Sequence, residues 1–173
     1  MNKLLSVVIP TKNRQVYCLE SAQSILEDLD SRCEIVIQDN SEDDSLKKDI
    51  ERLNDSRIVY NYNSQPLSFI DNFEQALNLS NGEYFIILGD DDSTTKDIVK
   101  VVEWMQSNNI ESVACSKVID YIWPNEKIEK YKDGLLHIPV YSNSMKEVDC
   151  SVQIENLIKN GFLAYQNFDL PRT

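Results

Sequence analysis

Four short apolar runs, each followed by a helix-like stretch, fill the first 108 residues of this 173-residue chain. This alternation constrains the fold more than any other feature. Strands are predicted at residues 4–9, 34–38, 57–60 and 83–88, where apolar side chains run almost without interruption. Helices are predicted between them. Val16, Leu19, Ala22, Ile25, Leu26 and Leu29 recur at three- and four-residue spacing over 15–29. Leu46, Ile50 and Leu53 form a second stripe, and Phe69, Ile70, Phe73, Ala76 and Leu77 a third within 66–79. Ile98, Val101, Val102 and Met105 form a fourth, with Ser93 or Thr94 as the expected cap and Asp97 in the first turn. Asn81-Gly82 is expected to end the third helix in the left-handed region. The run 83–88 lacks alternation, as a strand covered on both faces would. Strand and helix in strict succession predict an α/β fold with a mostly parallel central sheet.

Such sheets bind ligands beyond the carboxyl ends of their strands. Three polar clusters fall there: Pro10-Thr11-Lys12-Asn13-Arg14, Asp39-Asn40-Ser41 and Asp90-Asp91-Asp92. They are distant in sequence but are expected to meet on one edge of one sheet. Three adjacent carboxylates repel each other, and a hard divalent cation with oxygen ligands would relieve that. Adjacent residues on a turn cannot all face one ion, so one or two would ligate directly. The plain alternative is a solvated turn before a helix. Asp39 can accept from ribose hydroxyls or a base N–H, or close an Asx-turn. Lys12 and Arg14 can face a diphosphate, or simply form a basic loop.

Other chemistries lack their motifs. The turn after the first strand has no glycine, so the dinucleotide fingerprint is missing, as are a P-loop and a G-x-S-x-G elbow. His137 is the only histidine, which leaves a His-based triad or zinc cluster without support. Cys18, Cys33, Cys115 and Cys150 are scattered without ligand spacing and read as packing residues in a reducing, cytoplasmic setting. A net charge of −12 with no basic patch argues against nucleic-acid binding. No apolar run approaches membrane-spanning length and no signal peptide is visible, so the expected location is cytoplasmic, with peripheral attachment to the inner membrane face compatible. Beyond residue 109 the pattern weakens: extended segments are expected at 112–115, 117–122 and 135–141, a turn at 123–126 and a helix at 148–163. A receiver-like domain and a nucleotidyltransferase fit less well, the latter for want of a Gly-rich basic loop after the first strand.

The spaced pieces resemble the N-terminal, donor-binding part of inverting family 2 glycosyltransferases with the GT-A fold. They are Leu5 to Arg14, Glu34 to Asp43, Asn72 and Gly82 to Asp92. The resemblance implies a Rossmann-related, GT-A-like sheet flanked by helices in a single domain over 1–173. Its half at 1–108 would bind the nucleotide sugar, and 109–173 would be a partial acceptor-side half, cut short because complete members are longer. It also implies a nucleotide-diphosphate sugar donor, expected to be a UDP-sugar, with Mn2+ or Mg2+. The acceptor would be a saccharide or lipid-linked saccharide in surface polysaccharide synthesis. Pro10, Thr11, Arg14, Asp39, Asn72 and Asp90 would line the nucleotide site. Asp91 and then Asp92 would ligate the metal, Gly89 standing where many relatives carry the first aspartate. The general base would be Asp149 or Glu147. The alternative is a domain that binds the nucleotide sugar without turnover, distinguished by whether a base and an acceptor pocket are in place.

Overall fold

The structure is a computed structural model that describes residues 3–113, 120–122, 127, 132–138, 140, 149, 151–152, 155 and 159. Its contacts divide the chain into two units, Met1–Ser107 and Asn108–Thr173. The first holds β1 (Lys3–Thr11), α1 (Gln15–Asp28), β2 (Cys33–Asp39), α2 (Ser45–Leu53), β3 (Ile58–Tyr62), α3 (Phe69–Asn78), β4 (Gly82–Ile87) and α4 (Asp97–Ser107). The strands form one sheet in the order β3-β2-β1-β4, parallel at every pairing. Thr11 lies opposite Asp39 in the β1–β2 register, so the first two polar clusters emerge side by side.

Burial follows from strand position. β1 and β2 each have two neighbours and are buried from Leu5 to Thr11 and from Cys33 to Asp39. Leu5, Val7, Ile9, Ile35 and Ile37 face a core closed by Ile25 of α1, Ile50 of α2 and Val99 and Val102 of α4. Val8 and Val36 face the other way, onto Ala76 of α3. Apolar contact of this kind supplies most of the folding free energy, at about 25 cal/mol per Å2 of buried apolar surface.

The structure corrects three local expectations. Among the described residues β4 lies at the edge of the sheet: Tyr84 and Ile86 pack on the large core, while Phe85 is 58% and Ile87 37% exposed. Among the described residues α3 packs on Val8, Val36 and Val59, on β1, β2 and β3. Phe69 and Ile70 are exposed too, and the buried positions of α3 are Asn72 and Ala76. The helix starts at Phe69 because Ser68 caps it, its hydroxyl accepting from the Asp71 N–H at 3.1 Å. The fourth helix begins at Asp97, and Ser93 instead meets Ser24 of α1 through their hydroxyls at 2.8 Å.

Between α2 and β3 the chain is pinned by one acidic residue. Asp55 accepts from the Arg57 backbone N–H at 2.9 Å and from its guanidinium at 3.0 and 2.6 Å, while Arg57 also donates to the Leu29 carbonyl. These hydrogen bonds hold the Asp55 carboxyl down to about 2. A carboxyl depressed in the folded state stabilises the fold above its unfolded value and loses that contribution as pH falls through its folded value. Asp55→Asn is expected to cost about 1–2 kcal/mol at neutral pH. Its deficit against the wild type should close between about pH 4 and pH 2. Urea melts of both proteins across that range check this.

In the second unit, β5 (Asp120–Ile122) and β6 (Leu135–His137) pair antiparallel, with Asp120 opposite His137. Residues 151–152, 155 and 159 are helical, within the helix expected at 148–163. Residues 112–113 are not in a strand, and 114–119, 123–126 and 160–173 lie outside the described residues. Among the described residues no helix is long and apolar enough to cross a membrane.

Candidate functional site

Thr11, the last residue of β1, sits where the polar clusters meet and is 2% exposed. Its hydroxyl donates to Asp90 Oδ2 at 2.7 Å. Its carbonyl accepts from the Asn40 backbone N–H at 3.0 Å and from Asn72 Nδ2 at 3.3 Å. One residue thereby joins the ends of β1 and β2, the loop after β4 and helix α3. Beside it is a cavity of about 370 Å3 whose lining includes Pro10, Thr11, Asn72, Phe73, Gly89 and Asp90.

The loop between β1 and α1 is held from the side. Asn13 adopts φ 57°, a left-handed conformation that asparagine tolerates. Its backbone N–H donates to Ser41 Oγ at 2.8 Å and its Oδ1 accepts from the Glu42 N–H at 2.9 Å. Arg14 follows as the residue before α1 and makes no side-chain cap. It reaches instead to the acidic loop, with Nε 2.9 Å from Asp90 Oδ1 and Nη2 2.5 Å from Asp91 Oδ2. The guanidinium carbon also lies 5.0 Å from the centre of the Tyr17 ring. The hydrogen bond to Asp91 raises the Arg14 pKa further above its ordinary value. Burial pushes the Asp90 carboxyl up, against the Thr11 hydrogen bond and the Arg14 charge.

The three aspartates therefore part company. Asp90 is 8% exposed and turned to Thr11 and Arg14, while Asp91 is exposed and shares the same guanidinium. Asp92 folds back: its Oδ2 accepts from the Gly89 N–H at 3.2 Å, and its carbonyl accepts from Ser21 Oγ at 2.5 Å. Asp39 is fully buried, its Oδ1 accepting from the Ser41 N–H at 2.9 Å and its Oδ2 from the Tyr60 hydroxyl at 2.8 Å. Burial and the Asp39 charge raise the Tyr60 pKa, so the phenol remains a donor. Beneath the site the Cys18 thiol is pushed up to about 12, chiefly by burial, which fits a packing residue and not a nucleophile.

The profile of the family described as Glycosyl transferase family 2 matches residues 6–161. The chain belongs to glycosyl transferase family 2. Among its relatives are the abequosyltransferase RfbV of Salmonella typhimurium, 33% identical over 119 residues. Another is the GalNAc(5)-diNAcBac-PP-undecaprenol beta-1,3-glucosyltransferase of Campylobacter jejuni, 34% identical over 94 residues. These matches cover 66% and 51% of this chain but 36% and 29% of the relatives, so the chain spans about a third of the length of the curated relatives it matches. The fold resembles S. aureus TarS 1-349, with a TM-score of 0.55 at 18% identity over 70% of this chain and 42% of that one.

Against the family's expected site, the first unit gathers Pro10, Thr11, Asn72 and Asp90 around one cavity. Arg14 and Asp91 join through the ion pairs, while Asp39 stands apart in its own buried hydrogen bonds. Asp149 belongs to the second unit, where its Oδ1 accepts from the Ser151 N–H at 2.8 Å and the Val152 N–H at 3.3 Å. Glu147 lies outside the described residues. In the sequence Asn40 is visible only as part of a polar cluster, and nothing local pairs Tyr60 with Asp39. Asn40 is 3% exposed and bonds to four other residues through its side chain, a density no local pattern announces.

Family 2 enzymes generally use a divalent metal, and the residues present fit one in part. Asp90 Oδ1 and Asp91 Oδ2 already share a cation, the Arg14 guanidinium, and hard divalent ions take such oxygen donors. Among the described residues no group of three or more His, Cys, Asp or Glu side chains converges to hold an ion. A metal here would complete its shell with water and with phosphate oxygens of a nucleotide.

Proposed function

We propose that this domain binds a nucleotide-diphosphate sugar, a UDP-sugar, and serves an inverting transfer of the sugar to an acceptor hydroxyl. The observation that carries the reading is the Thr11 junction, which draws four separated sequence pieces to one cavity. A second observation supports it. Asn72 Oδ1 is buried without a hydrogen-bond partner among the described residues, and Asn72 lines that cavity. Such an acceptor costs free energy until a ligand hydroxyl or N–H meets it.

In this reading Asp91 is the first metal ligand and Asp92 the second once its carboxylate leaves the Gly89 N–H, with Mn2+ or Mg2+ as the ion. When bound, the metal supplies Lewis-acid stabilisation of negative charge on the departing diphosphate. Thr11, Asn72 and Asp90 orient the nucleoside, and Asp39 contributes through the base or ribose once Tyr60 yields its oxygen. The acceptor oxygen forms its bond to the anomeric carbon as the bond to the diphosphate breaks on the opposite face. The acceptor proton passes to a carboxylate base, for which Asp149 and Glu147 are this chain's candidates. The undecaprenol in one relative's name favours a lipid-linked saccharide acceptor in surface polysaccharide synthesis, met by peripheral attachment at the inner membrane face.

Calorimetric titration of UDP with and without Mn2+ tests the donor site, with GDP as comparison. Mn2+ is expected to tighten UDP binding at least about tenfold, a coupling of typical size. Asp91→Ala should remove that gain while circular dichroism shows the fold intact. Absence of UDP and GDP binding under both conditions would overturn the reading.

A further inference from the structure

The acidic loop carries its own counter-ion, and the two ends of that contact are unequal. Arg14 Nε meets Asp90, whose side chain is 11% exposed, while Nη2 meets Asp91, whose side chain is 48% exposed. An ion pair in water is weak and readily displaced, whereas one on a largely buried carboxylate is held more firmly. Arg14 is itself 43% exposed and has the Tyr17 ring as a second support. Exposed to this degree, the guanidinium can release one carboxylate while keeping the other.

From this geometry we infer that Arg14 is a displaceable counter-ion that keeps free metal off Asp91 until a nucleotide diphosphate arrives with it. The inference rests on the donor-site reading and adds an order of binding. Before the nucleotide binds, a divalent ion must compete with the guanidinium for Asp91 Oδ2, and the described side chains offer it no third carboxylate in compensation. A metal that brings phosphate oxygens has both problems solved. Its shell is completed by the phosphates, and the guanidinium it displaces finds a new anionic partner in them. Arg14 is then a positioning residue whose charge couples metal binding to nucleotide binding. Because such coupling is reciprocal, Mn2+ tightens UDP by the factor by which UDP tightens Mn2+.

The experiment is a pair of titrations on wild type, Arg14→Gln and Arg14→Lys: Mn2+ alone, then UDP at fixed saturating Mn2+. Arg14→Gln is expected to bind Mn2+ alone about fivefold to tenfold more tightly than wild type and UDP in saturating Mn2+ more weakly, so the coupling factor falls. Arg14→Lys keeps the charge and should stay close to wild type in its affinity for Mn2+ alone. A merely structural role would weaken both titrations together. The inference is overturned if Arg14→Gln binds Mn2+ alone no more tightly than wild type while wild type shows Mn2+-dependent UDP binding. If wild type binds no UDP with Mn2+, the donor-site reading itself fails and this inference falls with it.

Discussion

Replacing Asn40 with alanine is expected to lower stability by about 3 kcal/mol and to weaken the proposed UDP binding in the same protein. The side chain is 3% exposed and uses all its polar capacity. Nδ2 donates to the Asn63 carbonyl at 2.8 Å and the Gln65 carbonyl at 2.7 Å. Oδ1 accepts from the Leu67 N–H at 3.0 Å and from Lys12 Nζ at 3.2 Å. One amide thus ties the end of β2 to the segment leading into α3 and to the loop after β1. Alanine leaves two carbonyls and one N–H without their partner, and each such group costs about 1–3 kcal/mol where water cannot replace it. Partial water access keeps the total near the lower end. In a domain of this size about 3 kcal/mol corresponds to a fall in Tm of about 6–12 °C. Asn40→Asp separates packing from hydrogen bonding. It is nearly isosteric but sets carboxylate oxygens against the two carbonyls, so it should be at least as damaging as alanine. Leu67 and Phe73, on the wall that Asn40 anchors, line the cavity, so both variants should also lose UDP affinity. Thermal melts and calorimetry on the same preparations check both effects.

Asn40 also marks where sequence reading stops. Runs such as Ile35-Val36-Ile37 identify strands because a fully buried strand needs apolar side chains on both faces, and the helix stripes follow from the 3.6-residue repeat. With parallel pairing, those elements place three polar clusters at one sheet edge. Periodicity does not say which polar group meets which. Carboxylate repulsion at Asp90-Asp91-Asp92 calls for a cation, yet the cation present is Arg14, 77 residues from Asp91 in sequence. Asp39 is engaged by Ser41 next to it and by Tyr60 from another strand, and only the first partner is local. Phe85 and Ile87 mislead in the opposite direction, since a continuous apolar run cannot say whether anything covers its second face.

Gly82→Ala is expected to be the most destabilising single-methyl change in the first unit, and it tests why that glycine is there. The sequence suggests a left-handed helix terminator at Asn81-Gly82. In the structure α3 ends at Asn78 with Leu79 right-handed at φ −85°, and among the described residues the only glycine with positive φ is Gly134. Gly82 instead opens β4 opposite Lys3. A Cβ there would lie 2.5 Å from the Ser6 backbone nitrogen, 2.5 Å from the Tyr84 carbonyl oxygen and 2.7 Å from Ser6 Oγ. Two of these are backbone atoms, so no side-chain rotation relieves the clash. The same point is a hydrogen-bond knot. The Gly82 N–H donates to Ser6 Oγ at 2.8 Å, the Ser6 hydroxyl donates to Glu34 Oε1 at 2.7 Å, and the Asn81 N–H donates to the same oxygen at 2.6 Å. Glu34 is 3% exposed, so pushing β4 away from β1 strips partners from a buried carboxylate. Two effects oppose each other. Alanine restricts the unfolded chain and favours folding by about 0.4–1 kcal/mol. Overpacking against immovable backbone costs about 3 kcal/mol, and the knot adds to it. The clash wins, and a Tm lower by about 6–12 °C is the expected reading. Ser6→Ala in the same background separates the contributions. It removes the hydroxyl but not the backbone nitrogen, so it should not rescue Gly82→Ala. A Gly82→Ala protein as stable as wild type would mean that β4 can move off β1 at little cost, and that Glu34 does not need the Ser6 hydroxyl.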